Sequence, residues 1–445
     1  MGAAARKQTP RQSLATWSTP AERADPVELL LEQAETRLTN LVPIRHGRMS
    51  GSPFAYYRGS AVVMAADLAS QPNTGLIVQL CGDAHIANFG LFASPERTVL
   101  FDLNDFDETH PGPFEWDVKR LATSAVLTAR SNGWRTPVQR ALATVCAQSY
   151  REAMREFSTM STLDVWYSRL DVSDIGRLAA SLPPEVVLAR VERSIAGARR
   201  RTNLQAMGKL TTVVDGQRQF VDDPPLLVRV GAEQAELLGT DAMQAYRATL
   251  VSDRAALLDH FHVVDVARKV VGVGSVGTRC YVLLMQGVDG TDPLVLQFKE
   301  ATASVLEPHT APSEYDNHGA RVVAGQRLMQ AASDIFIGWT AAKDAHGVTH
   351  DTYVRQLRDM KFSPDLSALG VEGVELLLRA AGWTLARAHA RSGDRLAIAA
   401  YLGRSARFDE AITTWSMSYA DQTEADHSAM VHAIHMARLP AITGV

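Results

Sequence analysis

Short apolar runs separated by polar turns predict two groups of strands in this chain. Gly75–Leu80 (GLIVQL) and Thr98–Leu103 (TVLFDL) are short, apolar and rich in β-forming residues, so each is predicted to be a buried strand. Far downstream, the apolar runs Thr278–Met285 and Leu294–Ala301 flank Gly287–Pro293 (GVDGTDP), which has the composition of a turn. Two further strands are predicted to complete the downstream sheet: Asp334–Trp339 and Thr352–Leu357.

Apolar positions at helical spacing predict helices between and after these strands. The clearest are Thr136–Phe157, which begins with a Thr-Pro pair, and Glu372–Arg391, which has one continuous apolar stripe. Helices are also predicted over Pro183–Arg201 and Ala320–Ala331, and a hairpin with an Asp-Gly turn over Thr211–Val221. The chain has 445 residues, which exceeds the usual size of one domain, so we expect an α+β protein with two lobes that share a cleft.

Composition excludes several classes of protein. Hydrophobic residues make up 46% of the chain, enough for a large core, and the net charge of −4 argues against a dedicated nucleic-acid binder. The three cysteines show no paired spacing, which fits a reducing cytoplasm. No apolar run approaches the length of a membrane span, so we expect no membrane partner. Residues 1–25 lack an apolar signal core and are predicted to form a disordered tail.

Two neighbouring segments have the residue types of phosphoryl-transfer chemistry. Cys81–Gly90 reads CGDAHIANFG, and Asn104–Asp117 reads NDFDETHPGPFEWD. Transfer from ATP needs one carboxylate to position a hydroxyl nucleophile, and an amide and a second carboxylate to hold magnesium against the phosphates. Asp83 and Asn88 stand five residues apart, as the corresponding Asp and Asn do in a kinase catalytic loop. The alternative is a tight turn with a capping aspartate, followed by acids at a solvated strand end.

The acids after the second strand are candidate magnesium ligands, since magnesium prefers hard oxygen ligands and few protein groups. We predict that Asn88 and Asp105 bind the metal, with Asp102 or Asp107 as auxiliary ligands. Asp102 and Asp105 compete for the main position. Asp83 is predicted to be the catalytic residue that orients the acceptor hydroxyl.

A glycine pattern lies between the downstream strands. Gly272, Gly274 and Gly277 form GxGxxG, which is a weak signal alone because it also marks dinucleotide-binding turns. A dinucleotide-binding loop must open into a helix, whereas β-branched apolar residues follow here. The pattern therefore favours a glycine-rich hairpin over ATP phosphates, with Lys299 as the phosphate-pairing lysine; the alternative for Lys299 is a lysine that protects a strand edge. The predicted nucleotide-binding residues are Gly272, Gly274, Ser275, Gly277, Lys299 and Leu357.

Together these motifs resemble the aminoglycoside-phosphotransferase-like branch of the protein-kinase-like superfamily. Its pattern is HGDxxxxN, a hydrophobic strand, DxD/G, and then GPxxxD. The matching residues are Gly82, Asp83, His85, Asn88, Asp105, Phe106, Asp107, Gly112, Pro113 and Asp117. Cys81 replaces the usual His, and the spacing from Asp105 to Asp117 favours Asp105 over Asp102 as the metal ligand. The resemblance also implies that Asp117 binds the backbone of the loop.

With YYRG at Tyr56–Gly59 and VRQLRDMK at Val354–Lys361, the chain also resembles the bacterial domain-of-unknown-function 2252 family over roughly residues 40–430. That family has been grouped with kinase-like folds. The resemblance implies a two-lobed protein-kinase-like fold with extra helices. Because the glycine loop follows the catalytic loop instead of preceding it, the implied element order is rearranged, as in a circular permutation.

The resemblance leaves one position without a match. Kinases have a helix whose glutamate pairs with the phosphate-binding lysine, and Ala320–Ala331 stands at the place of that helix but contains no Glu. Residues that could act instead are Glu300, Glu307, Glu314, Gln326 and Arg321. The implied organisation is a tail at 1–25, the catalytic part of the large lobe at 26–170, a mostly helical connection at 171–255, a nucleotide-binding small lobe at 256–362, and C-terminal helices packing on the large lobe at 363–445.

The leading functional hypothesis is an ATP- and magnesium-dependent phosphotransferase that acts on a hydroxyl of a small molecule or a protein. A nucleotide-binding regulatory module without activity is the second hypothesis. A metal-dependent phosphohydrolase is the third, weakened by the absence of a further metal motif. Arg58, with Arg45 and Arg48 before it, is a candidate for binding substrate or phosphate, and surface salt bridges would explain these arginines nearly as well. Arg199, Arg200 and Arg201 could also receive an acidic substrate, although a basic helix end is more often solvated.

Overall fold

The chain folds as an α+β protein, as the sequence predicts. The structure, a computed structural model, describes residues 1–171, 174, 208, 210–344, 346–357 and 363–445. The predicted helix Pro183–Arg201, with its three terminal arginines, lies outside the described residues. Within the described part of the chain, no helix is long and apolar enough to cross a membrane.

A helical body forms the larger part of the molecule. Four long helices pack against one another at its centre and bury large aromatic side chains such as Trp415 and Tyr150. They are α6 (Glu115–Ser131), α7 (Thr136–Phe157), α13 (Val371–Ser392) and α15 (Arg407–His435). The other described helices are α1 (Gly2–Gln8), α2 (Pro26–Ala34), α3 (Val42–Ser50), α4 (Pro53–Gly59), α5 (Ala61–Ala69), α8 (Thr162–Tyr167), α9 (Ala232–Gly239), α10 (Asp241–Arg247), α11 (Ser252–Leu258), α12 (His318–Met329) and α14 (Arg395–Leu402).

Two short antiparallel strand pairs lie on this helical body and carry the acidic motifs. Strand β1 (Ile77–Leu80) pairs with β4 (His110–Pro113), and β2 (Phe89–Ala93) pairs with β3 (Val99–Leu103). All five residues of β3 are buried, because it lies inside the body and not at a surface. The loops that join these strands bring the segments Cys81–Gly90 and Asn104–Asp117 into contact, and the backbone N–H of Asn104 donates to the carbonyl of Asn88 at 2.8 Å.

A six-stranded antiparallel sheet forms the second part of the molecule. Its strands are β7 (Leu227–Arg229), β8 (His262–Lys269), β9 (Cys280–Gln286), β10 (Pro293–Glu300), β11 (Gly338–Lys343) and β12 (Thr349–Gln356), in the spatial order β11-β12-β10-β9-β8-β7. Tyr246 of α10 packs edge-to-face on Phe298 on one face of the sheet. A hairpin of β5 (Thr211–Val214) and β6 (Gln217–Phe220) places Phe220 on the core of the other face.

The sequence predicts four of the six strands of this sheet, one of them shifted, and it misses β7 and β8. The predicted strand Asp334–Trp339 begins instead at Gly338, because the carboxylate of Asp334 accepts hydrogen bonds from the backbone N–H groups of Phe336 (2.9 Å) and Gln356 (2.5 Å) and makes a turn. The predicted Asp-Gly hairpin turn is confirmed, with φ of 50° and 78° at Asp215 and Gly216.

The structure places residues 1–25, which were expected to form a disordered tail, against the helical body. Leu14 is completely buried, and Trp17 packs edge-to-face on Tyr419 with ring centroids 4.9 Å apart. Arg23 forms ion pairs with Asp67 (2.7 Å) and Asp426 (2.6 Å). These contacts are with distant parts of the chain, so the local composition of the segment does not reveal them.

Candidate functional site

The loop after β1 is held in shape by the first turn of α6. The carboxylate of Asp117 accepts hydrogen bonds from the N–H groups of Cys81 (2.7 Å) and Gly82 (3.0 Å), which confirms the role implied for it. Gly82 has φ of +81°, and a Cβ atom there would lie 2.1 Å from the carbonyl oxygen of Glu108. Buried His389 stands 3.3 Å from Asp117, so it supports this loop from behind and does not reach the cleft.

Asp83, the predicted catalytic residue, is fixed by a buried arginine. The Nε atom of Arg120 donates to Asp83 Oδ1 at 2.7 Å, and its Nη2 atom donates to the carbonyl of Tyr57 at 2.8 Å. Burial lowers the pKa of Arg120, but the carboxylate of Asp83 more than offsets this and raises it. The side-chain amide of Asn88 donates to the carbonyl of Asp83 at 2.6 Å, so the two predicted residues of the loop are in direct contact.

The acidic segment after β3 meets the six-stranded sheet at Lys299. The ammonium group of Lys299 forms an ion pair with Asp107, although the two residues are 192 positions apart in the chain. Asp107 also accepts hydrogen bonds from Tyr353 Oη (2.8 Å) and Ser275 Oγ (3.1 Å). Burial lowers the pKa of Lys299, but the carboxylates of Asp105 and Asp107 outweigh burial and raise it. The lysine is therefore held as a buried cation beside the acids, and not as a strand-edge lysine.

Asp102 does not belong to this group, which corrects its prediction as an auxiliary metal ligand. Its carboxylate accepts hydrogen bonds from Nη2 of Arg387 at 2.8 and 2.9 Å, and both side chains are 1% exposed. The backbone N–H groups of Leu103 (2.9 Å) and Ala331 (2.8 Å) also donate to it. Asp102 therefore joins β3 to α13 and to Ala331, just after α12, inside the body, where it is buried and lines neither cavity.

Helix α12 contributes an arginine where the resemblance implies a glutamate. Arg321 donates to the backbone carbonyls of Asp107 (2.8 Å), Thr302 (2.9 Å) and Thr109. Glu300, one of the possible substitutes, pairs with Arg279 at 3.1 Å instead of Lys299. Of the other candidates, Glu307 accepts a hydrogen bond from the N–H of Ser313 (3.0 Å), and Gln326 donates to Gln330 (2.9 Å).

A cavity of about 490 Å³ lies between the sheet and the β2–β3 pair. Lys299 and Asp105 stand on its wall, and so do the predicted nucleotide-binding residues Gly272, Ser275 and Leu357. Polar groups with both donors and acceptors complete the lining: Asn104, Gln297, Gln326, Gln330, Asp334, Arg355 and Gln356. This volume is within the range of small-molecule sites.

A second cavity of about 110 Å³ adjoins the first. Asp105, Gly272 and Ser275 line both cavities and form the boundary between them. The second cavity is lined further by charged and polar side chains from several segments, with Gly274 beside them: Arg37, Arg58, Asp83, His85, Asn88, Asp107, Glu108 and Glu300. Burial raises the pKa of Glu108.

Gly277 differs from the other predicted glycines. It lines neither cavity, and a Cβ atom there would lie 3.0 Å from the Cβ atom of Arg37. Its carbonyl accepts a hydrogen bond from the N–H of Leu38 at 2.8 Å. Gly277 therefore packs the glycine loop against the segment before α3 and lines neither cavity.

Two residues of this site were missed in the sequence. Arg120 follows Asp117 by three positions on α6, so the two side chains lie on the same face of the helix. Once Asp117 was assigned to the loop after β1, this spacing could have indicated that Arg120 is near the same loop. Tyr353 stands directly opposite Lys299 in the β10–β12 register, which only the strand pairing reveals.

The predicted magnesium ligands Asn88 and Asp105 line the same small cavity. No group of three or more His, Cys, Asp or Glu side chains that could hold a metal ion occurs among the residues described. Magnesium beside a nucleotide is commonly held by one or two carboxylates together with phosphate oxygens and water, so a small protein donor set is compatible with it.

Comparison with known proteins gives one match. The family model described as "Uncharacterized protein conserved in bacteria (DUF2252)" matches residues 37–433. No curated protein and no solved structure shows significant similarity to the chain. The match spans most of the 445 residues and includes every predicted site residue. The chain therefore belongs to the DUF2252 family of bacterial proteins.

Proposed function

We propose that this protein is an ATP- and magnesium-dependent phosphotransferase that acts on a hydroxyl acceptor. The observation that carries the proposal is the ion pair between Lys299 and Asp107 at the boundary of two adjoining cavities. It joins the glycine-loop sheet to the acidic segment, which lines the smaller cavity together with Asp83 and Asn88, and Lys299 and Asp107 are 192 positions apart in sequence. A buried lysine held among carboxylates is a frequent feature of functional sites.

In this proposal the larger cavity holds the nucleotide. Leu357 and Val271 provide apolar surface, and Gln297 and Gln356 provide hydrogen-bonding groups for a base or sugar. Lys299 lies at the inner wall with Asp105, so the phosphates extend toward the smaller cavity. A lysine in this position neutralises phosphate charge and keeps its own charge, because the neighbouring carboxylates raise its pKa.

The donor set at the boundary fits a magnesium ion with Asp105 and Asn88 as its protein ligands. The amide nitrogen of Asn88 donates to the carbonyl of Asp83, which leaves its side-chain oxygen as the ligand atom. Asp107 has a different task, since Lys299, Tyr353 and Ser275 already donate to its carboxylate. When bound, the ion would neutralise phosphate charge during transfer.

Asp83 orients the acceptor hydroxyl in the smaller cavity. Its Oδ1 atom is fixed by Arg120, and its side chain is 20% exposed, so part of the carboxylate faces the cavity. Phosphoryl transfer needs positioning more than a strong base, and a carboxylate held by a buried arginine meets that need.

We also propose that the fold is kinase-like with a permuted element order. The support is the combination of an antiparallel sheet, a glycine loop, a lysine on the third strand of that unit (β8–β9–β10) and an acidic cluster across a cleft. The catalytic loop precedes this sheet in the chain. Residues 256–362 would then be a small lobe placed late in the sequence.

A nucleotide-binding regulatory module is the second candidate. The observation that favours it is the Arg120–Asp83 ion pair at 2.6 Å, because an arginine on this carboxylate competes with an acceptor hydroxyl. The absence of the helix glutamate also favours this candidate, since Lys299 pairs with Asp107 and not with a glutamate of α12. Both candidates require nucleotide binding, and they differ in turnover.

Calorimetry with ATP, with and without magnesium, followed by an ATP-turnover assay, tests the proposal. Asp83→Ala should retain ATP affinity and lose turnover, whereas Lys299→Ala should weaken ATP binding as well. A wild type that binds no nucleotide in magnesium contradicts both candidates. The regulatory module is favoured if the wild type binds ATP but shows no turnover with a broad panel of acceptors, and if Asp83→Ala binds ATP with the same affinity as the wild type.

A further inference from the structure

Arg58 is an arginine in the smaller cavity for which the described residues provide no partner. It lies in the last turn of α4 and lines the cavity with Asp83, Asn88 and Asp105. Its Nε atom is buried and has no hydrogen-bond partner, and no ion pair or hydrogen bond to Arg58 occurs in the part of the chain that the structure describes. Burial lowers its pKa, while the carboxylates of Asp83 and Asp105 act in the opposite direction.

The backbone around Arg58 is fixed from both sides. The carbonyl of Tyr57 accepts a hydrogen bond from Arg120 at 2.8 Å, and the carbonyl of Gly59 accepts one from Arg45 at 2.7 Å. The glycine loop also lies close to this backbone, because a Cβ atom on Gly274 would be 3.1 Å from the carbonyl oxygen of Arg58. The arginine therefore stands where the glycine loop, the Asp83 loop and the acidic segment meet.

The side chain of Arg58 is half-buried, and shielding its Nε atom from water without a hydrogen-bond partner reduces stability, because that group loses its contact with water without compensation. Proteins retain such groups mainly where a ligand provides the missing charge. Two other cations at the site are already paired with carboxylates: Lys299 with Asp107, and Arg120 with Asp83. Arg37, which lines the same cavity, donates to the backbone carbonyl of Val276 at 2.6 Å. Arg58 is thus available for an anion that enters between Asp83 and Asp105.

We propose that Arg58 is a catalytic residue that binds the phosphoryl group while it is transferred. This inference rests on the proposed phosphotransferase function and adds a residue to it. The acceptor hydroxyl oxygen forms a bond to the γ-phosphorus as the bond to the β,γ-bridging oxygen breaks. The electron pair of that bond leaves with ADP, and the hydroxyl proton passes to Asp83. In the transition state the charge is spread over three equatorial oxygens, and the planar guanidinium can donate to two of them at once.

The test compares Arg58→Met with wild type, using Mg·ADP with and without aluminium fluoride as the probe. Aluminium fluoride beside ADP imitates the transferring group, and such analogues bind roughly 100-fold tighter or more than ground-state ligands. Arg58→Met should keep the Mg·ADP affinity within about twofold and lose most of the gain from aluminium fluoride. Arg58→Lys keeps the positive charge but lacks the planar pair of N–H donors, so it should retain part of the affinity that aluminium fluoride adds.

Thermal unfolding separates this role from a structural one. Met is similar in length and apolar, so Arg58→Met should melt at the same temperature as wild type or higher. Arg438→Met is the matched control, since Arg438 lies at the surface with Asp25 and Glu28 and should leave the aluminium fluoride gain unchanged. The inference is overturned if Arg58→Met keeps the increase in Mg·ADP affinity that aluminium fluoride produces, whether or not its melting temperature is lower than that of the wild type.

Failure of the inference can be told from failure of the proposed function. A wild type that binds neither Mg·ATP nor Mg·ADP overturns both. A wild type that binds Mg·ADP without any gain from aluminium fluoride overturns the role of Arg58, because its cavity then does not favour the transferring group. A wild type with ATP turnover that equals that of Arg58→Met overturns the inference alone.

Discussion

The buried ion pair between Asp102 and Arg387 allows a direct test of whether Asp102 stabilises the fold or binds metal. Asp102→Asn removes the charge but keeps the shape of the side chain. Arg387 would then be a buried cation without a counter-charge, since its Nε and Nη1 atoms already lack partners. Removing one partner of a buried pair costs about 3–5 kcal/mol.

This loss corresponds to a measurable change in melting temperature. The entropy of unfolding is about 2.1 cal/mol/K per residue, so for 445 residues that unfold together it is about 0.9 kcal/mol/K. We therefore expect Asp102→Asn to lower the melting temperature by about 3–5 °C. Asp421→Asn is the control, because Asp421 pairs with Arg130 at the surface, where such a pair contributes about 1 kcal/mol or less.

A double-mutant cycle in urea completes the experiment. Arg387→Met in the Asp102→Asn background removes the uncompensated charge, so the double variant should be more stable than the sum of the single losses predicts, by about 2 kcal/mol or more. Additive losses would refute the reasoning, because they would mean that the two charges do not interact. Loss of magnesium-dependent nucleotide binding in Asp102→Asn without loss of stability would restore Asp102 as a metal ligand.

Three further predictions concern single residues. Asp105→Asn should abolish the magnesium dependence of nucleotide affinity in calorimetry and leave the melting temperature nearly unchanged; a large drop in melting temperature would make the residue structural. Burial lowers the pKa of His46, only partly offset by its hydrogen bond to the carbonyl of Pro440, so the unfolded state binds more protons below about pH 6.5 and stability should fall as pH falls. His46→Asn should reduce this slope between pH 7 and 5.5 in urea unfolding, and an unchanged slope would assign it to other groups. Gly82→Ala should cost at least about 2 kcal/mol in the same assay, because φ is positive and the new Cβ atom would meet Glu108; a neutral result would mean that the loop relaxes.

Elements with a strong local pattern were predictable from the sequence. The helix Thr136–Phe157 has the predicted bounds, and Val371–Ser392 differs from its prediction by one residue at each end. Both have apolar stripes of several turns, which tertiary contacts reinforce. The N-terminal segment was not predictable, because its order depends on Trp17 and Arg23 meeting residues of α15 some four hundred positions away.

The candidate site was predictable only in part, for a related reason. Motif spacing grouped Asp83, Asn88 and Asp105, which line one cavity. Spacing favoured Asp105 over Asp102 but kept Asp102 as an auxiliary ligand. Its burial could not be read from the sequence, because every residue of β3 is buried and alternation along the strand gives no outward face. The partner of Lys299 was equally hidden, since strand pairing and loop packing decide it rather than spacing.

The contacts around Asp107 would let the proposed kinase-like site work without the helix glutamate. Arg321 of α12 donates to the carbonyl of Asp107, while Lys299 and Tyr353 of the sheet donate to its carboxylate. Helix, acidic segment and sheet therefore meet at one residue. A shift of α12 would move Asp107 and with it Lys299, as a helix glutamate would move its lysine. Because all three contacts are between segments distant in sequence, they do not depend on the order of those segments along the chain, which is the condition that a rearranged element order must satisfy.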